Sequence, residues 1–128
     1  MSQESLQGQA SIHLDHLEYI QTVEAREAYL LLLLAGLRAG YKTIANTYRT
    51  KRDVHFEDAM DRPFALIANQ EDIRVYLRQP GAGSDPSRRA RFRASFGEKI
   101  NEPNGEMAAN VKDADEAAIA ASILFNAP

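Results

Sequence analysis

Leu14, Leu17, Ile20 and Val23 recur every third position among Asp15, His16, Glu18 and Gln21, a stripe that predicts an amphipathic helix. Thr22 is placed to cap a second helical segment from Val23 to Ala39, with Gly40 as its stop; one long continuous helix is the alternative. Tyr29 to Leu34 is apolar on every side, so this segment needs cover on two faces. Two covers are open: a central position between the first helix and a sheet, or a homodimer interface through Tyr29, Leu30, Leu33, Leu34 and Leu37. In Tyr41 to Thr50 the spacing of Tyr41, Ile44 and Tyr48 favours a helix, while the β-branched Thr43, Ile44, Thr47 and Thr50 leave a strand open.

The pattern then changes period. Val54 to Asp58 and Phe64 to Ala68 predict short strands around the Asp61-Arg62-Pro63 turn, and Asn69 to Asp72 is a tight polar connection. Ile73 to Gln79 alternates most clearly, with Ile73, Val75 and Leu77 on one face and Arg74, Tyr76 and Arg78 on the other. After Pro80, Gly81 to Ser84 reads as a flexible loop, and Asp85 and Pro86 as N-cap and first residue of a helix reaching about Glu98. Phe92 and Phe96 would pin that helix to the sheet, with Arg88, Arg89, Arg91 and Arg93 around them. Asn104-Gly105 marks a tight turn and Glu106 to Lys112 a strand. Asp113 with Glu116 resembles a capping box opening a last helix, Ala114 to about Phe125, with Ile119 and Ile123 as its apolar stripe. The expected fold is α+β: N-terminal helices on a small, mainly antiparallel sheet, with a β-β-β-α-β-α C-terminal half. Residues 1–128 read as a single domain, helical over 10–50 and sheet-containing over 53–126.

Composition narrows the chemistry. The absence of cysteine excludes disulfides, thiolate metal sites and cysteine nucleophiles. The first ten residues lack the pattern of a secretory signal, and the apolar run Ala28 to Leu37 is too short to span a bilayer, so a cytoplasmic, non-membrane protein is expected. Charge is uneven. Residues 38–99 hold 13 Lys plus Arg against 8 Asp plus Glu, net +5, and the remainder holds 2 against 10, net −8. The basic middle hints at an anionic partner.

The strand Phe64-Ala65-Leu66-Ile67, the run Ile73-Arg74-Val75-Tyr76-Leu77-Arg78, then Asn104-Gly105-Glu106 and the helix opened by Asp113-Ala114-Asp115-Glu116 carry a resemblance. This last half of the chain resembles a small uncharacterised bacterial domain found at the C-terminal end of restriction-nuclease-like proteins. The resemblance implies a bacterial or phage setting and an accessory role near nucleic-acid metabolism, and supplies no catalytic residues.

Several clusters invite chemistry. His13 and His16 with Asp15 and Glu18 lack the spacing of a paired-histidine zinc motif and read as a solvated face. Period-two alternation sets Glu57 beside His55 as an orienting carboxylate. Asp53, Glu57, Asp58 and Asp61 surround a strand and turn as in magnesium nucleases, but the companion acid-x-lysine is missing from the next clear strand. Gly81 to Ser84 lacks a phosphate-binding lysine, and Asp85 occupies the helix N-terminus. No catalytic residue, metal or cofactor is assigned. Arg74, Tyr76 and Arg78, joined by Arg88 and Arg89, form the strongest ligand-binding candidate, a face suited to single-stranded nucleic acid. The expected function is a non-enzymatic binding or protein-interaction module. Nucleic-acid or nucleotide binding is the first alternative and a metal-dependent hydrolase or nuclease the second.

Overall fold

A computed structural model describes residues 3–79 and 81–125; Pro80, which the sequence places just before a loop, and residues 1, 2 and 126–128 of the expected single domain lie outside them. Two helices, α1 (Gln3–Tyr19) and α2 (Val23–Arg38), precede four strands, β1 (Lys42–Tyr48), β2 (Lys51–Glu57), β3 (Phe64–Ala68) and β4 (Ile73–Leu77). Helix α3 (Pro86–Phe96), strand β5 (Met107–Val111) and helix α4 (Ala114–Phe125) follow. The strands form one antiparallel sheet in chain order. This is the α+β architecture expected from the sequence.

Register assigns the faces. Val54 lies opposite Ala45 and Leu66, Leu66 opposite Val75, and Val75 opposite Ala109, so a row of small and aliphatic side chains crosses all five strands. This face is buried under the helices with Phe56, Phe64, Ile73, Leu77 and Met107. Removing that much apolar surface from water is the main stabilising term. Caps define the helices locally. Thr22 Oγ1 accepts from Ala25 N at 3.1 Å, and Asp85 accepts from Arg88 N at 2.8 Å. Asp113 accepts from Glu116 N at 2.9 Å, while Glu116 reaches back to Lys112 N at 2.9 Å, each satisfying an otherwise orphaned donor.

Three expectations are corrected. Residues 42–48 form a strand, because Thr43, Ile44 and Thr47 favour extended backbone and the segment pairs along its length with β2 through a two-residue turn at Arg49-Thr50. On α4, Ile119 is 46% exposed, and the core side is built from Ala117, Ala120, Ala121, Ile123 and Leu124, whose small residues let α4 lie close to α2. On α1, Leu14 is exposed and the polar residue His16 is fully buried. Steps of three on a helix turning about 100° per residue drift about 60° each, so the stripe from Leu14 to Val23 winds off one face.

The buried side of α1 packs along β1, where Gln9 donates to Ala45 O at 3.3 Å and accepts from Ala45 N at 2.9 Å. The helix thereby satisfies backbone groups along an outer strand that would otherwise invite pairing with another chain. Asp15 accepts from Thr47 Oγ1 at 2.8 Å and from Arg52 Nε at 3.0 Å, and the Arg52 guanidinium lies 3.9 Å from the Tyr19 ring centroid. His16 Nε2 reaches Asn46 O at 2.9 Å, and both His16 Nδ1 (2.9 Å) and His13 Nδ1 (2.6 Å) meet the Tyr29 hydroxyl. A carbonyl only accepts, so His16 is protonated at Nε2 and its neutral Nδ1 accepts from Tyr29 O–H; Tyr29 in turn accepts from His13 Nδ1–H. Burial holds both imidazoles below their ordinary pKa and pushes the Tyr29 phenol up.

Candidate functional site

All four helices contribute to the buried side, leaving the other face of the sheet uncovered at its centre. Two rows of side chains cross it. His55, Ala65, Tyr76 and Ala108 stand opposite one another on β2, β3, β4 and β5, and Asp53, Ile67, Arg74 and Asn110 form the neighbouring row. Small Ala65 and Ala108 flank Tyr76 and are themselves buried, and the Arg74 guanidinium lies 5.3 Å from the Tyr76 ring centroid. On the β2 side Lys51, Asp53, His55, Arg78 and Glu106 surround an open basin of about 200 Å3 with Ala65 and Ile67 in its floor.

A polar chain runs through the basin. Asp53 Oδ2 lies 2.8 Å from His55 Nε2, Arg78 Nη1 lies 3.2 Å from His55 Nδ1, and Arg78 Nε lies 2.6 Å from Glu106 Oε2. Arginine only donates, so His55 Nδ1 accepts and the neutral ring donates Nε2–H to Asp53. Burial holds the imidazole below its ordinary pKa, and Arg78 and Arg62 act the same way against the opposing pull of Asp53. Both ring nitrogens are therefore engaged by side chains of the same face. A second chain links the adjacent row. Arg74 donates to Tyr76 Oη at 2.9 Å and Asn110 Oδ1 at 3.3 Å, and Asp72 accepts from Asn110 Nδ2 at 3.3 Å and Asn69 Nδ2 at 2.8 Å.

The structure brings Arg74, Tyr76 and Arg78 together on this face, half-buried and bonded to neighbouring side chains. It places Arg88 and Arg89 elsewhere. Arg88 donates to Ile123 O and Ala82 O, both at 2.9 Å, and lies over the Phe64 ring on the helical side, while Arg89 donates to Gly83 O at 2.8 Å. Their guanidiniums tie α3 to α4 and to the preceding turn, so they do not extend the Arg74 face. Glu57 pairs with Arg62, leaving Asp53 as the carboxylate on His55, and Asp58 accepts from Met60 N and Asp61 N in its own turn. The acidic quartet is thus dispersed. Among the described residues no group of three or more His, Asp or Glu side chains could hold a metal ion.

The dimer candidates also separate. Tyr29 is fully buried beneath α1 and Leu33 packs partly against the core, so the hydroxyl network withdraws Tyr29 from any interface. Leu30, Leu34 and Leu37 remain 42%, 49% and 47% exposed. Glu106, Asp72 and Asn110 were missed as site residues. Alternation marks which residues share a face of one strand, but pairing them needs the cross-strand register, and Asn101–Lys112 shows no signal for docking on Ile73–Leu77. Among the described residues no helix is long and apolar enough to cross a membrane. No family model, curated protein or solved structure significantly matches the chain.

Proposed function

We propose that the chain is a non-enzymatic protein-interaction module whose uncovered sheet face is the docking surface for a partner protein. The observation that supports this is the alternation of sign across the half-buried basin: Lys51, Asp53, Arg78 and Glu106 set cations and carboxylates side by side around Tyr76. Paired charges of both signs present a pattern that a protein surface can complement in register, with tyrosine and arginine as its anchors. A polyanion meets carboxylates as often as cations there. The engaged nitrogens of His55 weigh against acid–base catalysis at the same place.

The test is photocrosslinking from position 51, at the basin rim, in the producing cell, with Tyr76→Ala and Arg78→Glu as face variants and Met60→Ala, on an exposed turn, as control. One protein captured by the wild type and the control, and lost in both face variants, is the expected outcome. The second reading, single-stranded nucleic acid, draws support from the common direction of Arg74, Tyr76 and Arg78. Binding of short single-stranded DNA or RNA at about 50 mM salt that weakens in Arg78→Ala with a flatter salt dependence would replace the protein partner by this reading.

A further inference from the structure

The side of α2 turned away from the sheet carries Val23, Glu27, Leu30, Leu34 and Leu37, spaced by four, three, four and three residues. All five are exposed, whereas Ala25, Ala28, Tyr29, Leu32 and Gly36 on the opposite side are buried. The spacing is that of a helix-pairing seam, in which apolar residues alternate at three and four so that one stripe faces a partner helix. A surface helix of a monomer ordinarily presents polar residues there.

The charges beside the seam select its partner. At about 100° per residue Glu27 and Arg38 fall on the same flank, eleven positions apart, at opposite ends of the leucines. A two-fold axis perpendicular to two antiparallel helices keeps each flank on its own side and reverses the direction. It therefore brings the Glu27 flank of one helix to the Arg38 flank of the other, twice. A register centred on residue 32 sets Leu30 against Leu34 of the second copy, and Glu27 beside Leu37 and Arg38. A parallel pair would carry each flank to the opposite side, so that Glu27 of one copy could not meet Arg38 of the other. We propose that α2 pairs with α2 of a second copy of this chain as an antiparallel, two-fold helix pair, joined by Leu30, Leu34 and Leu37 and closed by reciprocal Glu27–Arg38 ion pairs. Such an interface is isologous, each patch being its own complement, and closes at two copies. It leaves the uncovered sheet face to the partner proposed above and stands independently of that proposal.

Sedimentation equilibrium of the wild-type chain tests the association, with expected masses between the 14.3 kDa monomer and twice that value. One helix pair buries less than the roughly 800 Å2 per partner of a standard interface, so the series extends to about 500 µM. Leu34→Glu should be monomeric throughout with an unchanged circular dichroism spectrum. Glu27→Arg and Arg38→Glu should each weaken the dimer at least several-fold and their combination restore it, a rescue that misfolding would not give. Because the chain has no cysteine, Glu27→Cys and Arg38→Cys proteins can be mixed and oxidised; mixed dimers should dominate. A wild-type monomer at every concentration, a dimer that survives Leu34→Glu, or Glu27→Cys linking mainly to itself would each overturn the proposal.

Discussion

Replacing Tyr29 by phenylalanine removes one oxygen from the molecule and nothing else, yet two imidazoles depend on it. The buried Nδ1 of His16 loses its donor among the described residues, and His13 Nδ1–H loses its acceptor. A buried polar atom left without a partner costs about 1–3 kcal/mol; His13, half-exposed, can turn to water and adds little. Tyr29→Phe should therefore lower stability by about 1–3 kcal/mol in urea denaturation at pH 7.5. The same network fixes a pH dependence. In the folded chain all three histidines are held below their ordinary pKa, chiefly by burial. As pH falls through about 6.5 the unfolded chain takes up protons that the folded chain refuses. Stability should thus be complete above about pH 6.5 and decline below it, by at most about 1.4 kcal/mol per pH unit for each histidine, until the folded-state pKa values are reached. Exposed Asp15, Asp58 and partly buried Glu116, whose pKa values are lowered by hydrogen bonds, add a further loss in more acidic solution. Imidazole nitrogen NMR should find His16 protonated at Nε2 and His13 at Nδ1. Stability that stays level or rises between pH 7.5 and 5, or the opposite tautomers, would refute the assignment.

Three further changes probe the packing. Phe96 is 7% exposed with its ring centroid 4.8 Å from that of Phe92, so Phe96→Ala should cost about 3–5 kcal/mol; an unmoved urea midpoint would place the ring outside the core. At Gly83 a Cβ would fall 2.0 Å from Arg78 O and 2.4 Å from Pro63 O, so Gly83→Ala should destabilise by about 1–3 kcal/mol in the same assay, and a neutral effect would show that the turn can move. Asp113→Ala removes the cap of α4 and should cost about 1 kcal/mol, read as a lower thermal midpoint.

Legibility in the sequence tracked how local the determining interactions are. The strand Phe64–Ala68 and the caps at Thr22, Asp85 and Asp113 depend on neighbours within a few residues, and each lies where the local pattern put it. Residues 42–48 needed β2 to become a strand, since their helical spacing and β-branched content opposed each other until ladder bonds decided between them. His16 shows the same limit at a single side chain. A histidine on a helix reads as solvated until an unprotonated nitrogen and a protonated one find a tyrosine thirteen residues away and a carbonyl thirty residues away. The candidate site sits further along this scale. Alternation alone set Arg74, Tyr76 and Arg78 on one side of β4, but Glu106 reaches Arg78 over 28 residues and His55 over 23, contacts that exist only once four strands are in register. Those contacts change the chemistry. Read along the chain, the two arginines form a cationic stripe; read across the sheet, Arg78 has a carboxylate and a neutral imidazole beside it, and Arg74 a phenol and an amide. A ligand for the isolated strand would be an anion, whereas a ligand for the assembled face must offer both signs and displace or join hydrogen bonds already made. That shift, from counting charges to pairing them, separates a protein partner from a polyanion and makes the salt dependence of Arg78→Ala the measurement on which the two readings part.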